Sequence, residues 1–243
     1  MNKKFLSGAV LKWIAMITML IDHFACSFYM ASYSCGRPIF SYDLYLILRA
    51  IGRAAFPIYC FLLVEGFLHT RNVHKYLFRL LCFGIVSEVP FDMAAEGSFV
   101  YWGHQNVFFT LFLGLMAILV LRYINEQSET CNSCPKWMNR LLGFISVACF
   151  AVCAEFCNTD YGAYGVIVIA AFYIFKTMPY AQYMSCFLVL ALQSSFELWA
   201  IPDIFLFYFY NGERGKQPKY LFYVFYPLHL LILGVLTMVI YRA

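Results

Sequence analysis

The sequence predicts an all-α fold, a polytopic transmembrane helical bundle, and two observations carry that reading. Hydrophobic residues fill 63% of the chain and charged residues 12%, about half the charged share of an ordinary soluble domain. Mean hydropathy is +0.72. The apolar stretches are also long and continuous, whereas the strands of a membrane barrel alternate in segments of about 10 residues. Lipid offers the backbone no partner, so each span must satisfy its own polar groups, as a helix does. At about 20 apolar residues per span, residues 1–243 have room for about eight or nine spans in one membrane domain, with no soluble domain beside them.

Hydropathy places spans near residues 9–30, 44–68, 75–93, 105–123, 141–158, 162–178, 181–199 and 221–241. The first follows Lys3 and Lys4 as a signal peptide would. It runs on through Asp22 and His23 without a small-residue cleavage site, so it reads as a retained helix. The second contains Pro57, which is expected to kink it. The stretch Pro202 to Tyr210 is apolar but about half a membrane deep, so 181–210 is expected to be a broken pair or half-helix. If that segment returns, Lys3, Lys4, Arg71, Lys75, Arg122, Lys136, Arg140, Lys176, Arg214, Lys216 and Lys219 share one side, and Arg37 and Arg242 face the other. Cytoplasmic loops collect positive residues. The expected setting is therefore a bacterial-type cytoplasmic membrane, with the amino terminus inside and the carboxyl terminus outside. A single span over 181–210 would carry the Arg214–Lys219 loop across and weaken the asymmetry.

The net charge of +4 serves this topology, and no nucleic-acid partner is read from it. Of the ten cysteines, Cys149, Cys153 and Cys157 share one helical stripe and read as small packing residues. Cys131 and Cys134 form one CxxC without a second ligand pair, and no metal is assigned.

The informative residues are the polar ones inside the spans. A charge at a helix centre costs about 2.5–3.5 kcal/mol on insertion scales, so Lys12, Asp22, His23, Arg49, Arg53, Glu65, Arg79, Glu88 and His229 are expected to face a shared polar interior. Lys12 and His23 lie eleven steps apart, which returns to within about 20° of the same azimuth after about 16 Å. A cation and an imidazole then share a face at different depths, one suited to phosphate and the other to accepting a proton. Asp22 projects about 100° away from His23; it either orients that imidazole or pairs with Arg49 or Arg53. These two arginines, four apart on one face, suit acidic protein groups or an anionic ligand. Glu88 and Asp92, also four apart, would repel each other in one cavity, and salt bridges to the arginines would relieve this. His229 either bonds a carbonyl freed by Pro227 or faces the cavity. The glycine-rich, basic loop Tyr210–Lys216 offers amides and cations to phosphates, or is simply a loop.

Several segments resemble the TraX family, whose founding members are linked to N-acetylation of conjugative pilin. They are Leu11-Lys12-Trp13-Ile14-Ala15-Met16 through Ile21-Asp22-His23, Arg53-Ala54-Ala55-Phe56-Pro57 through Glu65-Gly66-Phe67, and His69-Thr70-Arg71. Further ones are Ser87-Glu88-Val89-Pro90-Phe91-Asp92, Gln105-Asn106-Val107-Phe108-Phe109-Thr110, Tyr161-Gly162-Ala163-Tyr164-Gly165, Asn211-Gly212-Glu213-Arg214-Gly215 and Phe225-Tyr226-Pro227-Leu228-His229. The Lys12-x10-His23 spacing is similar to the basic-x10-His signature of acyltransferase family 3, to which the heparan-α-glucosaminide N-acetyltransferases are related. These resemblances imply transfer of an acetyl group from cytoplasmic acetyl-CoA to an amine or hydroxyl acceptor at the far face. The acceptor would be a pilin, a glycan or a small molecule. Carried onto this chain, His23 is the principal catalytic residue with Asp22 beside it. Lys12, Arg79, Arg214, Lys216 and Lys219 are candidate CoA contacts, and Arg49, Arg53, Glu88, Asp92, Gln105, Asn106 and His229 are candidates for the cavity. The rival readings are a proton-coupled membrane transporter and a non-catalytic pilus or envelope assembly factor.

Overall fold

The computed structural model describes residues 4–130, 135–216, 218 and 220–241. Lys3, Cys131, Cys134, Lys219 and Arg242 lie outside the described residues. Among those described there is no strand, only two single-pair bridges, Leu6 with Tyr210 and Gln105 with Thr159. The helices are α1 (Gly8–Ser34), α2 (Tyr42–Gly52), α3 (Ala55–His69), α4 (Val73–Ala95), α5 (Val107–Thr130), α6 (Lys136–Phe156), α7 (Gly162–Ile174), α8 (Pro179–Gln193), α9 (Asp203–Tyr208) and α10 (Leu221–Tyr241), with a 3-10 segment at Ser195–Ala200.

Local chemistry sets the helix starts. The side chains of Ser7, Ser41 and Asn72 accept the backbone N–H groups of Val10, Leu44 and Lys75 at 3.4, 3.3 and 2.9 Å, as N-caps do. Asn106 accepts Phe108 N at 3.0 Å to open α5. Left-handed backbone at Asn158, Tyr161 and Gly162 turns the chain sharply from α6 into α7. The expected span 44–68 is two helices, broken at Arg53-Ala54. Pro57 does not kink a continuous helix; it occupies the first turn of α3, where its missing N–H costs no helical bond.

The expected count of eight or nine spans is not matched by long apolar helices. Among the described residues five segments are long and apolar enough to cross a membrane: α1, α2 with α3 as Tyr42–His69, α5, α6 and α10. Helix α4 carries Lys75, Arg79, Glu88 and Asp92. The 13-residue α7 and 15-residue α8 measure roughly 20 Å against a hydrocarbon core of about 30 Å. After α8 the chain folds back. The Tyr183 hydroxyl near the start of α8 donates to Phe207 O at 3.2 Å, so 195–208 forms the return leg of a broken pair.

Helix α3 is the centre of the bundle. Ile58, Cys60, Phe61, Val64 and Phe67 are buried, with Phe61 against Phe172 and Phe67 against Tyr173 of α7. Helices α1 and α10 run parallel, Lys12 beside Phe222 and Phe28 beside Tyr241, so the start of α1 and the end of α10 lie at opposite ends. Helix α6 is peripheral and presents Phe144, Val152 and Phe156 outward. Cys149 and Cys153 are exposed on it and Cys157 is exposed at its C-cap, so the stripe read as small packing residues does not pack against the rest of the bundle.

Candidate functional site

One cavity of about 870 Å3 runs along α1, within the ~300–1,000 Å3 usual for small-molecule sites. One mouth is basic, lined by Lys12, Arg71, Lys75, Arg79 and Arg214. It is assembled where the start of α1 meets the 209–215 loop: Phe5 and Leu6 N–H both donate to Phe209 O at 3.1 Å, and Gly8 N–H to Glu213 O at 2.8 Å. The Tyr210 hydroxyl donates to Glu65 at 3.2 Å and ties that loop to α3. The ammonium of Lys12 stands 5.2 Å from the Phe222 ring centre, and the Arg79 guanidinium 5.7 Å from that of Tyr76. Among the described residues neither Lys12, Arg79 nor Arg214 makes an ion pair, and the buried Arg79 Nε has no hydrogen-bond partner. Lys12 and Arg79 are half-buried and Arg214 is exposed, and cations not held in ion pairs attract an anion.

The middle of the cavity is apolar, lined by Leu62, Leu63, Leu80, Phe108, Leu111 and Tyr226. The far end holds His23, Arg49, Arg53, His104, Asp160 and Tyr161. His23 Nδ1 lies 2.7 Å from His229 Nε2, and His229 Nδ1 lies 2.7 Å from Phe225 O. His229 therefore bonds the carbonyl four residues before it. The carbonyl freed by Pro227, that of Tyr223, is a different one.

Asp22 does not orient His23. Its carboxylate accepts Arg53 Nη2 at 2.8 and 2.9 Å and is bonded by Arg49 Nη1. Arg53 also donates to Glu197 at 2.9 Å, to the Tyr161 hydroxyl at 3.2 Å and to Arg49 O at 3.3 Å. The two arginines thus hold protein carboxylates, and α1, α2 and the 3-10 segment are joined at the far end of the cavity. Asp22 packs so closely on Gly52 that a Cβ there would overlap it.

Glu88, Asp92, Gln105 and Asn106 are not among the cavity-lining residues; they build its wall. Asn106 bonds Glu88 and donates to Gly84 O at 2.8 Å. Asp92 accepts Tyr101 N–H at 2.7 Å, and Gln105 bridges to Thr159 through Asn158 O and Asp160 N. Glu88 and Asp92 therefore occupy separate sites on the 96–106 loop and do not share a cavity. Lys216 is exposed and does not line the cavity.

Residues missed in the sequence include Glu197, which carried the same signal as the others, an acid inside an apolar stretch. His104 and Asp160 lie in loops, where no such signal exists. His104 Nε2 is 3.8 Å from Asp160 Oδ1, and interaction with that carboxylate raises its pKa despite desolvation. A raised value means the pairing contributes fully below the ordinary imidazole pKa of about 6.5 and is lost as pH rises through the folded value. Titration of His104 by NMR is expected to give a midpoint above the ordinary one, and Asp160→Asn to lower it; an unchanged midpoint in that variant would show the pairing to be inert.

These features define a multi-pass helical membrane protein with a polar-ended cavity along its first helix. The chain belongs to the TraX protein family, whose model matches residues 7–237. It is also similar to the probable fimbrial assembly protein FimC, serogroup H1, of Dichelobacter nodosus, 30% identical over 254 residues that cover 93% of this chain and 94% of that protein. No solved structure matches.

Proposed function

We propose that this chain is a membrane acetyltransferase serving pilus-type assembly. It moves an acetyl group from acetyl-CoA at the basic mouth to an amine or hydroxyl at the far mouth. The observation that carries the chemistry is the continuous cavity joining unpaired cations to His23. Placing the basic mouth in the cytoplasm follows the loop charges and gives the coenzyme its entry. Lys12, Arg79 and Arg214 would take phosphates, with Arg71 and Lys75 at the same mouth. The apolar middle would sheathe the pantetheine arm.

At the far end His23 Nε2 accepts the proton of the attacking acceptor. The new C–N or C–O bond forms at the acetyl carbon, the C–S bond breaks, and the departing thiolate takes the proton from His23. Arg49, which lines the cavity there, would supply positive charge to the oxyanion. The acceptor is a pilin, another envelope protein, a glycan or a small molecule.

The name of the Dichelobacter relative speaks for assembly more directly than for catalysis, and a non-catalytic assembly factor is the second reading. Binding of acetyl-CoA to the purified protein separates them. Charge reversal at Lys12 or Arg214 is expected to weaken binding by roughly 10–100-fold, the loss of a charged hydrogen bond of about 1.5–3 kcal/mol. Absent binding, or binding indifferent to both reversals, contradicts the coenzyme reading. Uptake of solute without acetyl-CoA consumption would favour a transporter.

A further inference from the structure

His229 is buried, only 5% exposed, and does not line the cavity, while His23 does. The two ring planes are 4° apart with centres at 5.0 Å. Parallel rings stacked face to face cannot bring nitrogens to 2.7 Å, because the planes would then overlap inside contact distance. The imidazoles must therefore meet edge to edge, with one hydrogen between the nitrogens. Phe225 holds the His229 ring twice, through its carbonyl at 2.7 Å and by stacking its own ring at 4.6 Å.

The position of every proton follows. A carbonyl only accepts, so His229 Nδ1 carries hydrogen. The other nitrogen of a neutral imidazole is then bare. A cationic His229 would be a buried charge with no ion pair among the described residues, which is costly. The shared hydrogen therefore belongs to His23 Nδ1. His23 also lacks an ion pair among the described residues, which favours its neutral form, and in that form Nε2 keeps its lone pair.

We infer that His229 is a positioning residue that fixes His23 as the Nδ1–H tautomer, leaving the Nε2 lone pair as the proton acceptor. The inference rests on the acyl-transfer reading, in which Nε2 receives the acceptor's proton and returns it to the leaving thiolate. Throughout that cycle the Nδ1 hydrogen stays on His23, bonded to His229, so the ring cannot turn between the two transfers.

NMR of the purified full-length protein labelled with 15N-histidine reports each tautomer, with His23 and His229 assigned by substitution. The expected native signals show hydrogen on Nδ1 of both rings and a scalar coupling across the pair. His229→Leu is expected to shift His23 towards the Nε2–H form that free imidazole favours. It should also slow acetyl transfer by about 10–100-fold, part of the ~10²–10⁴-fold contribution of a positioned acid–base group. His229→Gln, whose amide oxygen accepts the same hydrogen, should restore the tautomer and most of the rate. Hydrogen on His23 Nε2 in the native protein, or His23 signals unmoved in His229→Leu, overturns the inference. Correct tautomers in a native protein that transfers no acetyl group from acetyl-CoA would instead overturn the acyl-transfer reading and leave the histidine pair standing.

Discussion

A His23→Ala protein is expected to lose acetyl transfer by roughly 10²–10⁴-fold, the usual contribution of a positioned acid–base group, while still reaching the membrane folded. Neither of the other imidazoles at that end is placed to take over. His229 is behind His23 and away from the cavity, and His104 is engaged with Asp160. The substitution leaves His229 Nε2 without its donor, at a cost of about 1–3 kcal/mol, so thermal unfolding in detergent must accompany the assay. Mass spectrometry of envelope extracts from parent and variant cells should reveal a component that lacks the mass of one acetyl group in the variant. Full acetylation in a folded His23→Ala strain would remove the histidine from the chemistry. Full pilus-type assembly without acetylation would favour the non-catalytic reading.

Replacing Arg53 by Met should have the largest structural effect. Arg53 is 8% exposed and bonds Asp22, Glu197 and Tyr161 at once. Without it Asp22 keeps Arg49, but Glu197 is a buried carboxylate with no cation among its described contacts. Removing one partner of a buried pair costs about 3–5 kcal/mol, enough to lower the unfolding temperature by many degrees or prevent recovery of folded protein. Arg53→Lys keeps the charge but loses the two-pronged geometry and should fall between. Adding Glu197→Gln to Arg53→Met should recover part of the loss. An Arg53→Met protein that unfolds at the parent temperature would show that the cluster does not hold α1, α2 and the 3-10 segment together.

The residues that sequence alone could relate were those close along one helix. Lys12 and His23 line one cavity because three helical turns restore the azimuth. An acid stranded in α1 and two arginines one turn apart similarly pointed to the Asp22 cluster. What escaped was proximity across the chain: the His23–His229 bond joins positions 206 residues apart, and no periodicity reports that α1 and α10 are parallel neighbours. Glu88 and Asp92 were misplaced for a related reason. Their spacing shows a shared face but not that the 96–106 loop folds over it and takes each carboxylate separately. The membrane class was legible from composition, whereas the number of spans was not, because α4 trades apolar length for charge and α7 and α8 stop short.

A coenzyme must reach from the basic mouth to the histidine, and a density map of the protein with bound acetyl-CoA tests this most directly. The expected map places phosphates against Lys12, Arg79 or Arg214, with the thioester carbonyl close enough to His23 for an acceptor to sit about 3–3.5 Å from both. Phosphates at the His104 mouth, or a thioester lying outside the cavity and away from His23, would contradict it.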